Sequence, residues 1–418
     1  MTEVETETRP SPDPKHLRAV YVFGIFSMSM IDVFVFLIPI YAGQSLGMTD
    51  TEIGALVGAR SFVSLFLSIH GGALMDRFGV RRVTLFFTGV VVVCAPLFPL
   101  LTAFWALLVL QAISGFAISM GWTGGQTLIA RISEGDAEYI GRFSSVARIG
   151  TTLAPVIAGF LYDIGGPFLA YGFGFLWAVS GFVVLWFAPE PEIEPADDSN
   201  AERFRMVDIL PRLSDYAMSF AMMAIPAVAF TAVAMLVRNS TYGIQTSVYM
   251  TYSQGIGFTA TKIGILFAAI EIAAGVGSWF SGRAMRRFDA REVLTWSTIV
   301  MIVLITATPL FGSISPTLSG IFIILIVAQV ARGLIQGVSQ PILFSIQAKT
   351  VGRRQQGSVV GLRQTMNRLG GVAIPPLIGL ASDTFGREQS FYIIGALLLV
   401  ISVLLGIFAR RRVEPIAG

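Results

Sequence analysis

The chain has 418 residues, of which 54% are hydrophobic and only 13% charged, with a mean hydropathy of +0.72. A soluble protein of this length carries about 25% charged residues, so the composition excludes a water-soluble globular protein and points to an integral membrane protein. The net charge of +3 and the pI of about 9.1 do not mark a nucleic-acid partner, because the basic residues concentrate in connecting loops.

The start, "MTEVETETRPSPDPK", is acidic and broken by proline. It lacks the basic n-region of a cleavable signal, so a tail over 1–16 followed by a retained first helix is expected. Apolar runs of the roughly 20 residues needed to cross a bilayer are predicted at 17–41, 52–75, 82–101, 104–129, 143–164, 168–188, 227–251, 262–284, 293–311, 318–345, 357–380 and 390–409. None shows the short alternation of barrel strands, and the reading is an all-α protein with twelve spans. The acidic, proline-rich "PEPEIEPADDSNAERF" opens a linker over 189–226, with an amphipathic segment at 205–225 and Pro226 placed to start the seventh span. Six spans (17–188) precede the linker, six (227–409) follow it, and 410–418 forms a tail.

Lysine and arginine set the orientation. With the N-terminus inside, 21 of the 29 fall in cytoplasmic segments, only Lys262 and Arg387 fall outside, and six lie within spans. Both termini are therefore expected in the cytoplasm, and the pI is a topology signal. One cysteine, Cys94, excludes an internal disulfide. Two histidines, His16 and His70, give no paired metal spacing, and no phosphate-cradling Gly-Lys-Ser/Thr motif occurs. An enzyme, a cofactor and an ATP-driven pump are not expected.

The two sets of six repeat one another. At an offset of 210, "GMTDTEIGALVGA" faces "GFTATKIGILFAA", and Gly72, Arg77, Phe78 and Arg81 face Gly282, Arg287, Phe288 and Arg291. At 220, Gly141, Arg148, Gly150, Pro155, Gly159, Asp163 and Gly166 face Gly361, Arg368, Gly370, Pro375, Gly379, Asp383 and Gly386. The expectation is two six-helix bundles in parallel orientation, the arrangement of alternating-access transporters.

The loop after the second span, "GGALMDRFGVRR", resembles the signature of the major facilitator superfamily through Gly72, Asp76, Arg77, Gly79, Arg81 and Arg82. Val80 stands where the family has a basic residue, and the second copy, "GRAMRRFDARE", has Arg286 where Asp76 would be. The resemblance implies the twelve-helix fold of two pseudo-symmetric bundles, a monomer in the inner (cytoplasmic) membrane, and a gating role for this charged loop. "GTTLAPVIAG" in the fifth span resembles the family's antiporter motif, with Gly150, Pro155 and Gly159 retained and Ala154 and Ala158 in place of glycines. That likeness implies export coupled to protons. The arginine that many antiporters carry in the fourth span is missing, its segment reading Gln111, Ser114 and Gly115.

Two acids, Asp32 and Glu271, and six arginines, Arg60, Arg148, Arg238, Arg332, Arg363 and Arg368, fall well inside the predicted spans. Each costs about 2.5–3.5 kcal/mol at a helix centre, so together they must face the bundle or water rather than lipid. In the seventh span Arg238, Tyr242, Gln245, Tyr249 and Tyr252 form a polar stripe, as do Gln111, Gly115, Ser119, Trp122 and Gln126 in the fourth and Gln329, Arg332, Gln336 and Gln340 in the tenth. The first, fourth, seventh and tenth helices line the central path in the family. Asp32 and Glu271 are the candidates for proton coupling, Glu271 with Arg148 as an alternative structural partner. Arg238 and Arg332 are the candidates for holding an acidic group on the substrate, with Tyr242, Gln245, Tyr249, Gln336, Gln111 and Trp122 beside them. Arg148 and Arg368, at repeat-equivalent positions, are expected in a symmetric gate. The partners implied are a small organic substrate, anionic or zwitterionic, protons and the lipid bilayer. The function expected is proton-coupled export, the alternatives being proton-coupled import of an organic acid and uncoupled diffusion.

Overall fold

The computed structural model describes residues 13–134, 136–188, 220–350 and 356–413, and within them no side chain at 68–70, 72–73, 76, 137, 348–349 or 356–361. Most of the predicted tails and linker, and the side chains of Asp76 and His70, therefore lie outside the described residues, as do the surroundings of Gly72. Every regular element among the described residues is helical.

The helices are α1 (Pro14–Ile40), α2 (Asp50–Phe78), α3 (Val80–Cys94), α4 (Phe104–Ile132), α5 (Ala137–Phe187), α6 (Pro226–Gln245), α7 (Val248–Gly255), α8 (Ala260–Arg287), α9 (Ala290–Thr306), α10 (Thr308–Ile314), α11 (Leu318–Thr350), α12 (Gln356–Phe385) and α13 (Arg387–Arg412). Local sequence sets their ends. Asp13, Thr49, Asp136, Thr259 and Asp289 each accept a backbone N–H at an N-terminus, and Thr49 with Glu52 completes a capping box. Arginines occupy the last turns of α2, α8 and α13, where they complement the helix dipole. The predicted tail at 410 begins inside α13.

Among the described residues seven helices are long and apolar enough to cross a bilayer by composition, or eight if α9 and α10, bent by 51°, form one span. The predicted ninth span, read as one helix, is this bent pair. The predicted seventh is likewise interrupted, by Thr246 and Ser247 between α6 and α7. The fifth and sixth spans are merged into α5, whose only non-helical backbone is at Gly166 (φ 67°, ψ −163°). Packing shows that α5 reverses there. Its first limb climbs α1, with Phe143 against Gly24, Gly150 against Ile25 and Ser29, and the Tyr162 hydroxyl 2.7 Å from Ser45. Its second limb descends, with Gly174 near Val33 and Phe34, Gly181 against Phe26, and Leu185 in a cluster with Leu17. A straight helix of 51 residues would span about 75 Å, far more than the roughly 30 Å of a bilayer core.

Turn geometry follows the repeat. Gly47 and Gly257, at the 210 offset, both have positive φ, and so do Gly166 and Gly386, at the 220 offset. L side chains avoid this conformation. Helix approach repeats too. Gly150 lies against the Ile25 carbonyl and Gly370 against that of Leu236; Gly159 lies against Ala260 and Gly379 against Asp50. A methyl group at any of these positions would collide with backbone or force it to shift, which is why small residues occupy the contacts. Apolar residues crowd the outside, among them Phe86, Trp105, Phe187 and Trp279, each more than 60% exposed, a surface suited to lipid.

Candidate functional site

Two long seams join the first half of the chain to the second. In one, the first limb of α5 packs on α8; in the other, α2 packs on α12. At one end of each seam an aspartate closes the contact. Asp163 accepts the backbone N–H groups of Ala260 (2.9 Å) and Thr261 (2.8 Å), and the Thr261 hydroxyl (2.5 Å). Asp383, its repeat equivalent, accepts those of Asp50 (3.1 Å) and Thr51 (2.8 Å). Each carboxylate thus meets unsatisfied amides at the positive end of a helix dipole. The sequence reading matched Asp163 with Asp383 but gave neither a role. Nothing in the α2 or α8 sequence marks the partners, because the donors are main-chain groups.

Midway along the seams lie the intramembrane charges. Arg148 of α5 donates to Glu271 of α8 at 3.2 Å. Asp32 of α1 has Glu271, Arg60 and Arg148 within electrostatic reach, yet makes no hydrogen bond or ion pair among the described residues. Tyr242, the repeat equivalent of Asp32, faces Asp32, Arg60 and Glu271 from α6. Arg238 donates to Gln340 at 3.0 Å and lies near Glu271 and Arg148. Arg368 of α12 donates to Ser119 of α4 at 2.5 Å and is close enough to Arg60 for the two cations to repel. The buried Nε atoms of Arg60, Arg238, Arg332 and Arg368 have no partner among the described residues.

The sequence reading gathered most of this cluster. It placed Arg60 within a span but assigned it no role, although Arg60 sits where Asp32 and Arg368 both sense it. It also missed Asn239, whose amide donates to the Asn367 carbonyl.

Other candidates sit apart. Arg332 donates to Gln329 at 2.7 Å beside Tyr249, 3% exposed. Gln245 is buried, and both amide atoms of Gln111 are buried without a partner; Gln336 is half-buried. Trp122 stacks on Phe143 with ring centroids 5.5 Å apart, in an apolar cluster with Phe23 and Leu128. These contacts are packing, whereas its helical spacing predicts a place on the polar path. Arg363 lies over the Phe344 ring at 4.2 Å.

The antiporter-like segment is a packing device in this structure. Gly150 admits α1, Gly159 admits the start of α8, and the Pro155 carbonyl packs against Gly264, as that of Pro375 does against Gly54 at the equivalent place. In the charged loop, Gly79 (φ 89°) is the single residue joining α2 to α3. Arg81 donates to the carbonyls of Leu185 (3.2 Å) and Trp186 at the end of α5, a cation on a helix C-terminus. A groove of about 460 Å³ runs between α5 and α8 below the capped end, with Arg148 and Glu271 in its lining beside Ile149, Leu153, Ile272 and Trp279.

Comparison with known proteins agrees with this frame. The chain is 23% identical over 395 residues to the quinolone resistance protein NorA of Staphylococcus aureus (strain MRSA252), covering 92% of this chain and 95% of that protein. It is 23% identical over 421 residues to the enterobactin exporter EntS of Shigella flexneri, covering 95% and 94%. Among solved structures it is similar to the nucleoside transporter NupG, with a TM-score of 0.75 at 14% identity, covering 94% of this chain and 98% of that one. It is similar also to a bacterial homologue of the human lysosomal transporter Spinster in an inward-facing, occupied conformation, with a TM-score of 0.67 at 16% identity, covering 95% and 96%. The sequence profile of the Major Facilitator Superfamily matches residues 20–253 and 230–417, nearly the whole length, and this multi-pass membrane protein belongs to that superfamily of transporters.

Proposed function

We propose that the chain is a proton-coupled antiporter that exports a small organic zwitterion across the inner membrane. In this reading twelve spans form two bundles (17–188 and 227–409) joined by the 189–226 linker, with the 1–16 and 410–418 tails in the cytoplasm, and the monomer is the working unit. The names of the relatives, a quinolone resistance protein and an enterobactin exporter, lean toward export. Solute passes by rocking of the bundles about the two seams. The capped ends of the seams face outward and are closed, with access from the cytoplasm.

The observation that carries the coupling is the pair of acids facing each other from the two halves. Glu271 is tied to Arg148, whereas Asp32 is close to charges of both signs with no bonded partner among the described residues. A carboxylate so placed is free to exchange a proton for another cation without breaking an ion pair. Electrostatics then fixes the sense of coupling. A cationic group near Asp32 competes with a proton there, which is the requirement for antiport, while an anionic group is repelled by ionised Asp32 and binds with the proton. A zwitterion satisfies both parts of the cluster, its ammonium near Asp32 and its acidic group on the arginines.

The arginine excess favours a second reading, in which a wholly anionic substrate enters together with a proton. Proteoliposomes separate the two. Antiport predicts that substrate binding weakens as pH falls, and symport that it strengthens. Under antiport Asp32→Asn abolishes transport driven by a pH gradient while leaving substrate exchange at equal pH. Gradient-driven transport surviving in Asp32→Asn would remove Asp32 from the mechanism.

A further inference from the structure

The two seams are related by the repeat, yet their charges are not. Arg148 and Arg368 are equivalent at the 220 offset, and Glu271 is equivalent to Ser61 at the 210 offset. In the α5–α8 seam the arginine therefore meets a carboxylate, at 3.2 Å. In the α2–α12 seam the same place holds Ser61, which lies against Gly371 one turn from Arg368. A second cation, Arg60, stands beside it. Arg368 spends one donor on a neutral hydroxyl, Ser119, and Arg60 has no side-chain hydrogen bond among the described residues. Both buried Nε atoms are unbonded. Two like charges partly withdrawn from water, with Asp32 alone to offset one of them, are costly, and polar groups left unpaired in such a place call for a partner.

We infer that Arg60 and Arg368 form the binding site for the acidic group of the substrate, a carboxylate or phosphate that takes the place Glu271 fills in the other seam. This deepens the transporter reading and rests on it. Arg238 is less suited, being already near Glu271 and bonded to Gln340, and Arg332 is enclosed at 3% exposure with Gln329. Arg60 and Arg368 come from opposite halves and are each only half-buried, so an anion between them bridges the seam. Guanidinium forks match a planar carboxylate or a phosphate in two-point contact.

Asp32 reaches Arg60 from α1, and the groups facing Asp32 are Arg60 of α2, Arg148 of α5, Tyr242 of α6 and Glu271 of α8. Ionised Asp32 partly offsets Arg60; protonated, it leaves both arginines to the ligand.

The test uses the purified full-length protein in lipid nanodiscs, without any gradient, so a failure of proton coupling leaves its outcome unaffected. Benzoate, phenyl phosphate, benzylammonium and 4-(aminomethyl)benzoate serve as probes, read by calorimetry and thermal shift. Wild type and Arg363→Gln should bind both anions and the zwitterion. Arg60→Gln and Arg368→Gln should bind them ten-fold to a hundred-fold more weakly, on the order of the loss of a charge-assisted contact. The discriminating variant is Ser61→Glu, which installs the carboxylate that the other seam has. It should raise the melting temperature of the unliganded protein and abolish binding of the anions, a result that misfolding cannot imitate. Anion binding unchanged in Ser61→Glu, or a wild type that responds to benzylammonium and to neither anion, would overturn the site.

Discussion

The α5–α8 seam and the α2–α12 seam are built on one plan and completed in opposite ways. At the capped end, the α2–α12 seam is the more elaborate. Asp50, buried at 4%, accepts from Ser382 at 2.5 Å and from Arg387 at 2.8 and 3.2 Å, in addition to the amides held by Asp383. The α5–α8 seam has Ala260 where Asp50 stands and adds only the Thr261 hydroxyl. At mid-depth the order is reversed. The α5–α8 seam neutralises itself through Arg148 and Glu271, and beside them it is grooved. The α2–α12 seam supplies Arg60 and Arg368 with no bonded carboxylate among the described residues. The difference teaches that a duplicated helix pair keeps its backbone contacts, which packing enforces, while its side-chain charges diverge into separate tasks.

The largest effect should come from removing what the seams share. Asp163→Ala and Asp383→Ala each delete two charge-assisted bonds to helix amides, worth about 1–2 kcal/mol apiece by analogy with N-caps. The two aspartates share no hydrogen-bond partner, so their effects should add and the double variant should lose about 3 kcal/mol of closure. The native Cys94 is buried, so maleimide labelling at Lys262→Cys reports opening. Labelling no faster in the double variant than in its parent would mean that the caps do not hold this end shut. Next in size is a difference of sign at mid-depth. Arg148→Gln leaves Glu271, 19% exposed, without its cation and should lower stability by about 2 kcal/mol, less than the full cost of a wholly buried orphan charge. Arg368→Gln removes a cation from beside another and should leave the unliganded protein at least as stable as wild type. Equal destabilisation by the two would erase the contrast between the seams. Smallest is Thr261→Val, which deletes one hydroxyl bond to Asp163 and costs about 1 kcal/mol or less. Its effect on thermal unfolding should be matched or exceeded by Asp50→Asn in the other seam.

Much of this architecture was legible in the sequence because it depends on periodicity and on small residues. The two offset frames identified Gly150, Pro155 and Gly159 with Gly370, Pro375 and Gly379, and the structure sets the last two pairs against equivalent backbone and the first pair against backbone one residue out of step. The Arg148–Glu271 contact was open to sequence reasoning since both charges lie in apolar runs and must find a partner. Trp122 shows the limit of helical spacing, which alone does not tell a cavity face from a packing face: its ring lies on Phe143. The break that composition predicts between 164 and 168 coincides with the non-helical Gly166, although backbone hydrogen bonding carries α5 through it. Arg60 escaped because its significance lies in what surrounds it. Applying both frames together, which puts Ser61 opposite Arg368 where Glu271 is opposite Arg148, would have exposed the missing carboxylate.

The aspartate caps have an evolutionary consequence. Asp163 and Asp383 bind main-chain N–H groups, so at Ala260, Thr261, Asp50 and Thr51 almost any residue except proline supplies the same backbone donor. One partner of each lock is thus nearly invisible to substitution. Mutation can break the lock from the aspartate side, but no compensating change on α2 or α8 can restore it. Co-variation between the helices would pass over the contact, and drift in the opening residues of α2 and α8 can proceed while the seam stays closed.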